Sequence, residues 1–255
     1  MSVLIERKKV NKALGKSNLP GLDYTLNPYI GCSHGCVYCY ARLYCDTKIG
    51  DNWGKVVVVK ENLTRILEKE LKRAKKGVVA LSTITDAYQS IEKKEGITRE
   101  ALSILLENRF RVSIQTKSPL VSRDIDLLCI NRDLVDVGFT ITTLDERIAA
   151  LVEPNAPLPK ERVKALEKLS EEKIKTWIFL GPIIPGAEDF SCVVELAKST
   201  NSMLYYDKFR VKRFMNSGIA KDLAEKAKKI DWKEVFSQIE NLCRNSGVES
   251  RPAFD

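Results

Sequence analysis

Long apolar runs are missing from this 255-residue chain: no stretch of about eighteen apolar residues occurs, so no segment is expected to cross a membrane as a helix. The opening segment MSVLIERKKVNKALG has no apolar core behind its basic residues, which excludes a secretory signal peptide, and a cytoplasmic location is expected. Internal repeats, low-complexity tracts and Pro/Gly/Ser-rich linkers are also missing, so nothing divides the chain into separate domains. Glutamine occurs only as Gln89, Gln115 and Gln238, whereas Lys and Glu are abundant, a compositional lean toward thermophiles.

What is present is a globular composition, 44% apolar and 30% charged, able to bury a sizeable core. The formal charge of +8 is compatible with an anionic partner such as nucleic acid. Most lysines fall in segments such as EKELKRAKKG and KDLAEKAKKI, however, where a solvated helix face is the plainer reading. Seven cysteines point to metal or redox chemistry rather than to a disulfide framework.

Runs rich in Val, Ile, Thr and aromatics alternate with longer amphipathic segments. Strands are expected at residues 24–30, 77–82, 111–115, 135–141, 174–180 and 203–206, with KVVVVK as an added strand or hairpin before the second. ENLTRILEKELKRAKKG sets Leu63, Ile66, Leu67 and Leu71 on one helical stripe, closed by Gly77 after a basic last turn. TREALSILLENRF, SRDIDLLCINR, PKERVKALEKLSEEK and FSCVVELAKST read likewise as helices. DWKEVFSQIENLCRNSG carries Asp231 as N-cap, Glu234 three residues on, and Gly247 as its stop. This alternation predicts βαβ units and a parallel sheet. Six units are too few to close an eight-stranded barrel, so the expected α/β fold is a partial (β/α)6 TIM-like barrel. Residues 1–207 form its core, with 1–23 packing on it, and 208–255 form a C-terminal helical extension.

IGCSHGCVYCYAR sets Cys32, Cys36 and Cys39 in C-x3-C-x2-C spacing at the end of the first expected strand, the end where parallel sheets carry their chemistry. Gly31 and Gly35 permit the tight backbone of a loop wrapped around a cluster. Thiolates select zinc, copper or iron–sulfur. A cubane takes one ligand per iron, so three cysteines leave the fourth iron open. Zinc held by these cysteines and His34, the only histidine, would require His34 to fold back between its neighbours. Zinc with Cys45 as fourth ligand fits the spacing, and three unrelated buried cysteines are the plainest alternative. His34 is read as a loop residue or a support for the ligands. Cys129, Cys192 and Cys243 are read as small buried residues, and they make no second cluster motif.

NPYIGCSHGCVYCYAR resembles the cluster loop of radical S-adenosylmethionine (SAM) enzymes, in particular the spore photoproduct lyase-like, DNA repair photolyase-related branch. The likeness continues in order through LSTITDAYQSIE, IQTKSPLVSRDIDLL, TITTLDERIAALVEPNAP and GPIIPG, covering residues 27–186. It implies a six-strand partial barrel, a [4Fe-4S] cluster on Cys32, Cys36 and Cys39, and SAM chelating the open iron. The reduced cluster then cleaves SAM to methionine and a 5′-deoxyadenosyl radical. The resemblance further implies that Tyr38 lies near the adenine, that Thr85 and Lys117 meet the SAM carboxylate, and that Thr140 supplies a hydroxyl at the end of the fourth strand. Two departures stand out. Thr83 occupies the place of the lyases' hydrogen-donating cysteine, and an O–H is a far poorer hydrogen-atom donor than a thiol. The Gly-Gly-Glu that holds the SAM amine in other members is absent, with Asp86 as its substitute. Tyr40 matches a tyrosine implicated in radical transfer, and is read as a relay or as packing at the rim.

Resemblance and charge together favour a nucleic-acid substrate, a damaged or modified base. A protein substrate, as in glycyl-radical installation, and a structural metal module are the alternatives. A basic face at the barrel mouth, with Lys117, Arg123 and Arg162 converging, would favour the nucleic-acid reading, and VKRFMNSGIAKD is read from its position as part of the substrate rim. That reading also implies a monomer served by a flavodoxin- or ferredoxin-like electron donor.

Overall fold

The computed structural model describes residues 3–187 and 190–254. Its strands are β1 (Leu4–Lys8), β2 (Leu14–Lys16), β3 (Tyr24–Leu26), β4 (Tyr29–Ile30), β5 (Val56–Lys60), β6 (Val78–Leu81), β7 (Arg111–Thr116), β8 (Val135–Thr140), β9 (Lys175–Leu180), β10 (Met203–Tyr206) and β11 (Ser250–Pro252). Eight of these form one open sheet in the order β2-β3-β6-β7-β8-β9-β10-β11. From β3 to β11 every pairing is parallel, and β2 alone is antiparallel to its neighbour. The six expected strands are the middle of this sheet, and its two outermost strands do not pair with each other, so the α/β barrel is partial.

Strand register explains the core. Val79, Val112 and Val135 stand side by side across β6, β7 and β8, as do Leu81, Ile114 and Val137 two residues on. All six belong to the main core, together with Leu63, Leu67 and Leu71 from the predicted helical stripe. Apolar residues four apart on a helix share one face, so this helix (Leu63–Leu71) lays a continuous leucine edge on the barrel. The remaining predicted helices form at Ile97–Glu107, Ile125–Ile130, Pro159–Glu171, Ser191–Ser199 and Trp232–Ser246. The last of them is capped as expected: the Asp231 carboxylate accepts from the amides of Lys233 and Glu234, and Gly247 takes a φ of +71°.

Three expectations need correction, while the added strand KVVVVK forms as expected. The run 24–30 is two strands in different sheets, because Pro28 offers no N–H to a ladder and the chain turns there. KVVVVK lies in the second sheet, ordered β1-β5-β4; its Val57 and Val59 face the main core, while Val56 and Val58 face a smaller one with Ile49. Gly77 does not close the leucine helix, which ends at Leu71. A side chain there would meet the Asp23 carboxylate at 2.5 Å, so glycine lets Asp23 reach the Val78 amide at the start of β6. Finally, the segment beyond residue 207 is not wholly helical. After the helices Gly218–Ala227 and Trp232–Ser246 it returns as β11, parallel to β10.

Candidate active site

The cysteine loop leaves β4 and crosses the carboxyl ends of the sheet strands. Gly31 takes φ +81° and Gly35 φ +65°, the left-handed region that glycine enters at no steric cost. A β-carbon on Gly31 would lie 2.5 Å from the Val56 carbonyl oxygen, and one on Gly54 would lie 2.7 Å from the Cα of Gly35. The loop is thus pressed against two backbones. Gly31→Ala is expected to keep the fold by circular dichroism but to lose iron binding per chain after anaerobic reconstitution, because the left-handed conformation alone costs about 1–2 kcal/mol and the overlap adds to it.

Side chains from distant elements brace the loop. Gln89 accepts from the Ser33 amide (2.7 Å) and donates to the Gly31 carbonyl (3.3 Å) and to Thr85 Oγ1 (2.9 Å). Thr85 Oγ1 donates to the same Gly31 carbonyl (2.6 Å). From the other side, Asn155 donates through its amide nitrogen to the His34 carbonyl (3.1 Å) and through Nδ2 to the Ser33 carbonyl (3.0 Å), and the Val37 amide donates to the Val152 carbonyl (2.9 Å). His34 itself is buried, with Nδ1 3.5 Å from Asp86 Oδ2. Burial lowers its pKa, and the ring is neutral. The Asp86 carboxylate also accepts from Thr116 Oγ1 (2.7 Å) and the amides of Lys117 (2.8 Å) and Tyr88 (2.9 Å), so it ties the ends of β6 and β7 to the loop.

Cys32 and Cys36 are buried and Cys39 is half-buried. Burial pushes the Cys36 thiol up to about 12 and raises Cys32 and Cys39 as well, so iron must expel protons to bind. Three thiols in C-x3-C-x2-C spacing are a donor set of the kind that suits an iron–sulfur cluster. Among the described residues no three His, Cys, Asp or Glu side chains converge closely enough to hold a single metal. Cys45 does not complete a zinc site with the other thiols, its Sγ donating instead to the Ala41 carbonyl (3.4 Å). The buried Trp53 Nε1, in contact with this cysteine group, also lacks a partner.

The remaining sequence candidates gather around two centres. At one, the Tyr38 hydroxyl and the Arg162 guanidinium both donate to the carboxylate of Glu153, Thr142 Oγ1 donates at 3.1 Å, and Lys117 Nζ stands 3.7 Å away and 5.6 Å from the centre of the Tyr38 ring. Burial raises the Glu153 carboxyl, but Lys117 and Arg162 together with these hydrogen bonds outweigh it and hold it below its ordinary value. Arg162 also donates to the carbonyl of Thr140, whose hydroxyl accepts from Gln115 Nε2 (3.0 Å). At the other centre, the Tyr40 hydroxyl donates to the Thr83 carbonyl, which brings those two candidates together, while Asn27 Oδ1 accepts from the Thr83 and Ile84 amides.

The basic face that would favour a nucleic-acid substrate does not form. Arg162 is buried against Glu153, which Lys117 shares, and Arg123 is spent on Glu92 and Asp124. Cys192 is exposed and Cys129 half-buried; of the three cysteines expected inside, only Cys243 is buried. VKRFMNSGIAKD does reach the loop, since Met215 packs in one apolar group with Cys36, Tyr38 and Phe209. Gln89, Glu153 and Asn155 were missed as site residues, although each lies inside a segment that carries the family likeness.

The fold is an open, mostly parallel sheet with a braced three-cysteine loop at the carboxyl ends of its strands. The family model described as the Radical SAM superfamily matches residues 26–198, and the chain belongs to that superfamily. It is accordingly an enzyme of the radical SAM class, which uses a [4Fe-4S] cluster and SAM. Among curated relatives it is 36% identical to the protein MJ0683 of Methanocaldococcus jannaschii, over 80% of this chain and 77% of that one. It is 33% identical to ORF301 of Acidianus two-tailed virus, over 69% of this chain and 60% of that one. Among solved structures, a cysteine-to-serine mutant of spore photoproduct lyase superposes with a TM-score of 0.72 at 17% identity, covering 99% of this chain and 82% of that one. Spore photoproduct lyase complexed with dinucleoside spore photoproduct gives 0.71 at 14%, with the same coverage. No helix of the described residues is long and apolar enough to cross a membrane.

Proposed function

We propose that Cys32, Cys36 and Cys39 hold the [4Fe-4S] cluster and that the enzyme acts on a nucleic acid. The observation that carries the reading is the braced thiol loop itself, three cysteines on one strand-end turn held by Gln89 and Asn155. When bound, the cluster and SAM supply a 5′-deoxyadenosyl radical. This chain's part is to bind, orient and exclude water. Phe209, Met215, Ile184 and Leu223 wall the Cys36–Tyr38 side against solvent. In this reading Tyr38 flanks the adenine, Lys117 and Thr85 meet the SAM carboxylate, Asp86 receives the amine and Thr140 completes the polar rim. Thr83 offers no thiol, so in this reading hydrogen return falls to another group, and the hydrogen bond from the Tyr40 hydroxyl to the Thr83 carbonyl supports Tyr40 as a radical relay. Residues 1–207 act as the catalytic core and 208–255 as the extension that borders it. The enzyme works as a cytoplasmic monomer with a flavodoxin- or ferredoxin-like donor.

Two surface features favour nucleic acid over a protein substrate. Beside the cluster loop, Tyr44 and Tyr40 are exposed and Arg42 lies 4.4 Å above the Phe214 ring, a mixture of aromatic and cationic groups on which bases stack. Farther off, an open groove of about 1010 Å³ between β2 and the end of the leucine helix is lined by Lys12, Lys16, Lys69, Lys72, Arg73 and Lys75. The two carboxylates there, Asp23 and Glu70, are bound to backbone amides of Val78, Ala13 and Leu14, and among the described residues the six cations make no ion pair. Such a groove attracts a phosphodiester backbone. Binding of labelled single- and double-stranded DNA, followed by anisotropy, is therefore expected to weaken steeply with salt. In the Lys72→Ala/Arg73→Ala variant the log–log slope falls by roughly 0.9 per lost phosphate contact. Salt-independent binding, or none to either nucleic acid form, would rule this substrate class out.

A further inference from the structure

Trp53 occupies the turn between the helix Thr47–Asp51 and β5. Its side chain is buried, and its indole N–H is shielded from water without any hydrogen-bond partner. An indole nitrogen can only donate, and a buried donor left unmade costs the full desolvation of the group. Such orphans are rare in native proteins, and an absent ion or cofactor is one of the recognised reasons for them. The surroundings say which acceptor is missing. Trp53 packs in one small group with Cys32 and Ala41, against which Cys39, Cys45 and Ile84 are laid. Among the side chains of that apolar group only the sulfurs can accept a hydrogen bond, and two of those sulfurs belong to the proposed cluster ligands. The adjoining Gly54 is pressed onto Gly35 at the centre of the cysteine loop, so the turn that carries the indole moves with the loop and not independently of it.

We propose that Trp53 donates its N–H to sulfur of the bound cluster, to a bridging sulfide or to the Cys32 or Cys39 thiolate, and thereby sets the cluster's reduction potential. This rests on the assignment of Cys32, Cys36 and Cys39 as ligands. A neutral thiol is a poor acceptor, whereas metal-bound thiolate and sulfide carry the negative charge that an N–H seeks. Reduction adds one electron, and so one negative charge, to the cluster. A donor fixed on its sulfur consequently favours the reduced form and raises the potential. Trp53 is a positioning and tuning residue in this account, not a catalytic one. A further consequence concerns the direction of the effect: removing the N–H makes the enzyme harder to reduce without removing any ligand.

The test is Trp53→Phe, which keeps an aromatic ring in the cavity and deletes the donor. Wild type and variant are reconstituted anaerobically, assayed for iron and sulfide per chain, and titrated with redox mediators under EPR observation. The expected result is equal cluster content, a midpoint potential shifted to more negative values, and loss of one exchangeable-proton coupling from the pulsed EPR spectrum of the reduced cluster. If the smaller ring loads poorly, replacement of Trp53 by benzothienylalanine gives the same readout, since that side chain keeps the outline of indole and has sulfur in place of N–H. Full loading with unchanged potential and unchanged proton coupling overturns this inference alone. Failure of the wild-type protein to take up iron and sulfide overturns the ligand assignment, and the inference with it.

Discussion

Cys36→Ala abolishes 5′-deoxyadenosine release from SAM, whereas anaerobically reconstituted, dithionite-reduced wild-type protein releases it. The expectation follows from ligand count. A cubane takes one ligand from the protein for each of three irons, and the loop has no spare thiol in place: Cys45 hangs from the Ala41 carbonyl and does not converge with the other three. Cys36 is also the ligand most deeply walled in, packed with Tyr38, Val152, Ile184, Phe209 and Met215, so an exogenous thiol has little access to replace it. Iron content should fall with activity, while the variant keeps its secondary structure, because the braces from Gln89 and Asn155 act on backbone and not on sulfur. Bound zinc or cluster in the wild type without SAM cleavage would favour a structural metal module instead.

Arg162→Met lowers the unfolding free energy by about 3–5 kcal/mol, the usual consequence of stranding one partner of a buried ion pair. In thermal terms this is a drop on the order of 10 °C in a chain of this size. Arg162 and Glu153 are both almost wholly inaccessible, and the methionine leaves the Glu153 carboxylate with Lys117 as its only cation. Glu153→Gln strands the guanidinium in the same way. The double variant should cost less than the two singles together, because each single change already breaks the same ion pair, and a thermodynamic cycle in urea measures the difference. The pH dependence has a definite sign. Glu153 is held below its ordinary value, so its contribution is complete above the ordinary carboxylate range and is withdrawn as the pH falls below it. Wild-type stability should therefore fall more steeply in acid than that of Glu153→Gln.

The parts of the fold and site that were legible beforehand are those written in short-range pattern. The β-branched runs and the leucine stripe from Leu63 to Leu71 are local, and apart from the run 24–30 they became the expected strands and helix. What escaped depends on pairing across the chain. Nothing near Glu153 announces that Tyr38, 115 positions earlier, will share its carboxylate. Lys117 and Arg162 read as free cations of a binding face because the acid that neutralises them stands in a different helix-to-loop junction. Gln89 and Asn155 looked like ordinary polar residues, since their partners are backbone atoms of a loop 56 and 122 residues away. The division of 24–30 is a different kind of miss: Pro28 was visible, and its missing N–H outweighs the strand preference of the residues around it.

The bracing of the cysteine loop also has a meaning in time. A ribosome delivers Cys32, Cys36 and Cys39 early, but one set of braces comes from Gln89 and the other from Val152 and Asn155. Until well over half of the chain has been made, the nascent protein carries three thiols on a loop with nothing to hold its shape. On the proposed ligand assignment, iron insertion is deferred to a late stage of biogenesis, and the interval before it is when these cysteines are most open to oxidation and to capture by the wrong metal.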